Sequence, residues 1–173
     1  ALPIFSSLPI VIATQPIQRA AQNNLHKTVK FLIKNGTSVD HKDEHGNTAL
    51  HYAAMYGQFA TLCALLALGA TVDLQNLKSQ TALHLACRNG HEKEVRKLLS
   101  SRASRLALDY YHSTPLHYAV LYKRSEIITL LLGAEKNDPV TIKTLAACNK
   151  AGQTVLSVAA EKGHLREMST FHD

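Results

Sequence analysis

An all-α solenoid of about five helix–turn–helix units is the fold class that this 173-residue sequence predicts, on three observations. The first is a motif that returns in register. Asn47-Thr48-Ala49-Leu50-His51 recurs as Gln80-Thr81-Ala82-Leu83-His84 and as Ser113-Thr114-Pro115-Leu116-His117, with the threonines 33 residues apart. A fourth copy, Gln153-Thr154-Val155-Leu156-Ser157, follows after 40, and stepping back 33 from Thr48 reaches a faded copy at Gln15-Pro16-Ile17-Gln18. The second observation is a small-residue pair ahead of a glycine: Ala53-Ala54 before Gly57, Ala86-Cys87 before Gly90, Ala159-Ala160 before Gly163. The third is a leucine pair, Leu65-Leu66, Leu98-Leu99 and Leu131-Leu132, near the end of each following apolar segment. Self-similarity at such a period means stacked supersecondary units.

Each unit reads as two short helices. Thr48, Thr81, Thr114 and Thr154 stand where an N-cap is needed, since a threonine hydroxyl can satisfy a free amide of the first turn. Leu50, Ala53 and Ala54 recur at three and four and mark one face of the first helix. Pro115 suits a first turn, where its missing N–H costs nothing. Gly57 closes the first helix with a left-handed residue. Leu62, Leu65 and Leu66 mark the second helix, and Gly69 closes it. Asp43, Asn76, Asp109 and Asn149 open their units as turn formers. The units are placed at 10–42, 43–75, 76–108, 109–148 and 149–173, after an N-terminal extension over 1–9.

Three departures stand out. Lys123 occupies the place of Gly57, Gly90 and Gly163, and Arg102 that of Gly36 and Gly69. A side chain held left-handed costs roughly 1–2 kcal/mol, so these helices either absorb that strain or end differently. The fourth unit is seven residues too long. Asp138-Pro139 within it reads as an N-cap and first helical residue, predicting a short extra helix over 140–147. Its simpler reading is a tolerated insertion; the functional one is a projection that touches a partner. Finally, Leu165, Met168 and Phe171 form an apolar stripe with no later unit to cover it, and the chain begins without Met. A longer natural protein is expected.

The period, the Thr-Pro-Leu-His core of the motif, the helix stops and the leucine pair together resemble the ankyrin repeat family, whose signature reads T-P-L-H-x-A. The resemblance covers roughly residues 10–173. It implies that the turns project as a row of fingers, that His51, His84 and His117 are structural, and that a partner lies on the concave side formed by finger tips and first helices. The positions it marks as free to vary are Glu44, His45, Asn47, Met55 and Tyr56 in the second unit. In the third they are Leu77, Lys78, Gln80, Arg88 and Asn89. The fourth supplies Tyr110, Tyr111, Ser113, Leu121 and Tyr122, and the fifth Lys150, Ala151, Gln153, Glu161 and Lys162. This set holds four of the six tyrosines, and Tyr and Arg are enriched at interface hot spots. The candidate protein-binding residues are therefore Met55, Tyr56, Leu77, Lys78, Arg88, Tyr110, Tyr111, Leu121 and Tyr122. Tyr52 and Tyr118, one place after the motif histidine, read as partly buried packing residues.

Composition fits a binding module better than a catalyst. Tryptophan is absent and aromatics are 6%, so the core is built from aliphatic residues. The ten histidines invite a metal reading, but the motif histidines are spread along the stack rather than converging. Cys87 and His91, four apart, could share a helix face, yet two ligands do not make a structural zinc site. No nucleophile elbow, phosphate loop or HExxH segment is present. No cofactor, metal or small-molecule substrate is expected, and the chain is not expected to be an enzyme. The alternative is the recognition arm of a larger enzyme or effector whose catalytic domain lies outside it. The net charge of +6 is concentrated in residues 1–42 and 76–108. Lys93, Arg96, Lys97, Arg102 and Arg105 could touch nucleic acid, but on the convex side they read more simply as a solvated face. No apolar run reaches the ~18 residues of a membrane span. Three scattered cysteines suit a reducing compartment, so a cytoplasmic location is expected, with a nuclear one as the alternative.

Overall fold

The computed structural model describes residues 16–133 and 138–163. The extension over 1–9, the start of the first unit with Gln15, and the stripe of Leu165, Met168 and Phe171 lie outside the described residues. Among the described residues ten helices run in chain order: α1 (Pro16–Gln22), α2 (His26–Lys34), α3 (Ala49–Tyr56), α4 (Phe59–Ala67), α5 (Ala82–Asn89), α6 (Glu92–Ser100), α7 (Pro115–Leu121), α8 (Ser125–Leu132), α9 (Pro139–Ala146) and α10 (Val155–Glu161). Among the described residues there is no strand, and one isolated bridge joins Cys148 to Thr154.

The helices form two layers. First helices α1, α3, α5, α7 and α10 pack in series, and second helices α2, α4, α6 and α8 pack in a parallel series beside them. Helix α10 lies against α7, so α9 is an addition to the alternation. The repeated residues make the core. Leu50, Leu83 and Leu116 are buried, as are Ala53, Ala86, Ala119 and Ala159, whose small side chains let the helices approach. The leucine pair divides its labour: Leu65, Leu98 and Leu131 are buried, while Leu66, Leu99 and Leu132 lie partly exposed at the edge of the core.

Helices α3, α5, α7 and α10 begin on their threonines. At Thr154 the hydroxyl accepts the N–H of Ser157 at 3.3 Å. In the three histidine-bearing units the box closes from the other side. His51, His84 and His117 accept the backbone N–H of Thr48, Thr81 and Thr114 on Nδ1, at 3.1 Å each, with the hydroxyl 2.9 Å away. A backbone N–H can only donate, so Nδ1 is bare and the proton sits on Nε2. Nε2 then donates into the next unit, to the carbonyls of Gln80 (2.9 Å), Ser113 (3.1 Å) and Gln153 (3.3 Å). Gln18 stands at the same register in the faded first copy, and its amide reaches the carbonyls of His41 (2.8 Å) and Asn47 (3.4 Å). In the first four units one side chain therefore ties the first helix to the following turn.

This ladder requires neutral imidazole. Burial, the largest cause, lowers the pKa of His51, His84 and His117 below the ordinary 6.5. Below about pH 6.5 the unfolded chain binds protons that the folded chain refuses, so stability falls with acidity and is level above that value. The urea midpoint is expected to be flat from neutral to mildly alkaline pH and to drop as the pH falls below about 6.5. A midpoint that rises on acidification in that range contradicts the tautomer assignment.

The helix ends behave as their residues require. Gly57 is left-handed at φ 67°, and Lys123 and Arg102 adopt the same region at φ 56° and 64°, absorbing the strain. The predicted extra helix forms on Asp138, whose side chain accepts the N–H of Val140, and ends at Ala146. Its start is clamped to the stack. Arg105 donates to Asp138 at 2.6 Å and to the Leu131 carbonyl at 2.9 Å, and the Thr141 hydroxyl donates to the Leu132 carbonyl at 2.7 Å. This corrects one expectation: Arg105 is a partly buried structural residue, not part of a free basic face. A second correction concerns Cys87 and His91. Gly90 ends α5 between them, so Cys87 is buried in the core while His91 precedes α6 and bonds the Met55 carbonyl at 3.0 Å.

Candidate protein-binding surface

The turns that open the units are built on one design. The side-chain oxygen of Asp43, Asn76, Asp109 or Asn149 accepts two backbone N–H groups, two and four residues on, at 2.8–3.0 Å. Adjacent turns are then joined by single backbone bonds: Leu77 N–H to His45 O, Tyr110 N–H to Lys78 O, and Lys150 N–H to Tyr111 O. These bonds hold the turns as a row and present Leu77, Lys78, Tyr110 and Tyr111 outward.

In the second and fourth units the acid that opens the turn has a further role. Asp43 accepts the Tyr52 hydroxyl at 2.7 Å, and Asp109 that of Tyr118 at 2.6 Å. Burial first, and then the aspartate, push both phenols up to about 12. With its hydroxyl fixed, each of these tyrosines supports a second ring one turn later. Tyr56 lies parallel to Tyr52, with centroids 6.3 Å apart, and Tyr122 parallel to Tyr118 at 6.4 Å. The expected packing role of Tyr52 and Tyr118 holds, and they also orient the exposed rings.

The candidate residues fall into two groups. The fourth-unit group is the denser. Tyr111 and Leu121 line a cleft of about 370 Å³ whose floor and walls include His117, Tyr118, Val158, Glu161 and Lys162. Finger residues and first-helix residues share this cleft, so the two kinds of element form one surface. Tyr110 meets Tyr111 edge to face at 5.3 Å, and the Lys150 ammonium sits 3.7 Å from the Tyr110 ring centroid. The Arg88 guanidinium lies 5.7 Å from the Tyr122 ring centroid. The exposed residues include Tyr110 (58%), Tyr111 (59%) and Leu77 (75%). The second group is Met55 and Tyr56, beside Tyr52, with Met55 only partly exposed.

Two of the variable positions do not fit the expectation. Asn47 and Gln80 are buried, because they lie in the joint between a turn and the next first helix. The Asn47 side-chain oxygen accepts from Asn76 at 2.9 Å, and the Gln80 amide reaches the Tyr118 hydroxyl at 3.1 Å. Tyr118 and Val158 were not among the candidate residues, yet both line the cleft. Asp43 pairs with Tyr52 and Asp109 with Tyr118, whereas Asn76 and Asn149 accompany Leu85 and Val158 at that spacing. That alternation is a readable signal for the tyrosine anchors. Among the described residues no three His, Cys, Asp or Glu side chains come together. No described helix is long and apolar enough to cross a membrane.

A family model described as ankyrin repeats (3 copies) matches residues 12–76 and again residues 61–144.

Proposed function

Because the chain belongs to the ankyrin repeat family, whose members are generally protein–protein interaction modules and typically non-catalytic, we propose that it binds a partner protein on the surface shared by its turns and first helices. The observation that carries this reading is the fourth-unit cluster. Tyr110, Tyr111, Leu121 and Tyr122 are all exposed; Tyr111 and Leu121 line the cleft, Tyr110 packs on Tyr111, and Tyr122 lies on the cleft residue Tyr118. Exposed aromatics gathered in this way on one face mark an interaction site.

The cations beside the rings narrow the partner's chemistry. Lys78, Arg88, Lys150 and Lys162 are exposed in this region, while the Glu161 carboxylate is held by the Gln153 amide at 2.8 Å. A partner segment carrying an apolar or aromatic anchor next to an acid satisfies both features. The rings need little ordering on binding, since Tyr122 rests on Tyr118 and Tyr110 on Tyr111. Preorganised side chains of this kind lose less entropy when a partner arrives. A cytoplasmic location belongs to the same proposal, because Cys63, Cys87 and Cys148 are unpaired.

The test uses a partner recovered from lysate and titrated with variants. Tyr111→Ala and Tyr122→Ala should each weaken binding by about 2 kcal/mol if they are hot spots, with melting curves close to the parent. Arg96→Ala, on α6, should leave affinity unchanged. Normal binding by both tyrosine variants together with failure of the α6 variant would overturn the site.

A further inference from the structure

The second-helix layer carries a separate feature that the turn-and-first-helix site does not use. Its outward positions align in columns 33 residues apart: Lys27, Ala60 and Lys93; Lys30, Cys63 and Arg96; Lys34, Ala67 and Ser100. Helix α4, in the middle, bears no charged residue, and its outer stripe of Ala60, Cys63 and Ala67 is small and apolar. Helices α2 and α6, on either side of it, carry the lysines. The result is a low apolar floor between two basic rows.

The floor is also aromatic at one edge. Phe59, the first residue of α4, is 41% exposed. Phe59 lines a hollow of about 290 Å³ with Lys93, Arg96, Lys97 and Ser100. Acids balance the rows only in part. Glu94 is buried, Glu92 is committed to Arg96 at 2.6 Å, and Glu126 on α8 extends the Lys93 column, whereas Lys27, Lys30, Lys34 and Lys97 have no acidic partner among the described residues. A merely solvated face has no reason to expose a phenylalanine and an alanine stripe between two rows of lysines.

We propose that this face docks an acidic amphipathic helix of a partner protein, with its apolar stripe on α4 and glutamates or aspartates on both flanks. The dimensions suit a helix. Neighbouring axes lie about 8–10 Å apart, which puts the two basic rows roughly 16–20 Å apart across α4. A helix about 10–12 Å across fits between them and reaches both rows with its acids. An extended segment is a poorer occupant, because this face offers no strand edge to satisfy its backbone. Nucleic acid would use the lysines but has no need of Phe59 and the alanine floor.

The probe is a fluorescently labelled synthetic amphipathic helix with a leucine stripe flanked by glutamates, followed by anisotropy at physiological and raised salt. It should bind and weaken with salt. The Lys30→Glu/Lys93→Glu protein should bind it roughly tenfold more weakly, from lost and reversed exposed ion pairs. Ala60→Glu, which sets an acid on the floor while keeping a good helix former, should abolish binding. Tyr111→Ala should bind the probe normally, which separates this face from the turn-and-first-helix site. Far-ultraviolet dichroism and melting curves establish that each variant is folded. The proposal is overturned if the parent protein does not bind the probe. It is equally overturned if a lysine-flanked peptide or a glutamate peptide without leucines binds as well. Tighter binding of a single-stranded oligonucleotide or of phosphatidylserine vesicles than of the probe would overturn it in favour of those ligands.

Discussion

Replacing His84 by alanine is expected to lower the stability of the whole chain by about 2–5 kcal/mol, because two buried backbone groups lose their partners at roughly 1–3 kcal/mol each. The Thr81 N–H loses Nδ1, and the Ser113 carbonyl loses Nε2. The ring also leaves its edge contact with Tyr118, whose centroid is 6.0 Å away. In a chain of this size the melting temperature should fall by roughly 5–15 °C. His84→Gln is the informative companion. Gln18 occupies the equivalent place in the first unit and makes the forward bond with its amide, but its buried carbonyl oxygen has no partner among the described residues. Glutamine should therefore recover the contact to the next unit but not the cap, and about half the loss. His45→Ala, on an exposed turn, should stay within about 0.5 kcal/mol of the parent. Equal losses for His45 and His84 would mean that the ladder carries no stability.

Leu98→Ala is the second large effect, expected at about 2–5 kcal/mol as for other buried leucines cut to alanine. Leu98 is completely buried between the layers, and its neighbours Val95 and Glu94 are buried on the same helix. The surrounding side chains belong to rigidly stacked helices and cannot collapse fully into the space. Leu99→Ala provides the contrast, since Leu99 packs at the rim of the core with part of its surface in water. It should cost less than half as much. Urea denaturation of both variants measures the difference. Similar losses at the two positions would show that the inner and outer members of the pair are not distinguished as described.

The architecture was legible because each unit repeats the same local physics. Thr48, Thr81, Thr114 and Thr154 open their helices as N-caps. Gly57 and Gly90 close them in the left-handed region, and Asp138-Pro139 opens α9. A residue's short-range chemistry is sufficient for such assignments. Less legible were features that depend on what folding brings together. Ser79 and His112 take the left-handed turn conformation that Gly46 and Gly152 take, although side chains seldom do. Arg105 resembled its exposed basic neighbours, but Asp138 and the Leu131 carbonyl draw it into a clamp. Asn47 and Gln80 belong to variable positions by register, and the close seating of each turn on the next helix buries them. On the candidate surface, the outward direction of Tyr110, Tyr111 and Tyr122 followed from the repeat register. The aspartate-fixed tyrosines that support Tyr56 and Tyr122 leave a trace in the shared nine-residue Asp-to-Tyr spacing, but their hydroxyl bonds form only when the turn folds back on the helix.

Hydrogen exchange on the chain alone and bound to its lysate-derived partner tests the central claim most directly. Exchange slows where a partner excludes water or stabilises local structure. The proposed site predicts new protection over the turn amides at 110–113 and 150–153 and the end of α7, with α4 and α6 unchanged by that partner. Protection confined to α4 and α6, with the fourth and fifth turns exchanging as in the free chain, would contradict it.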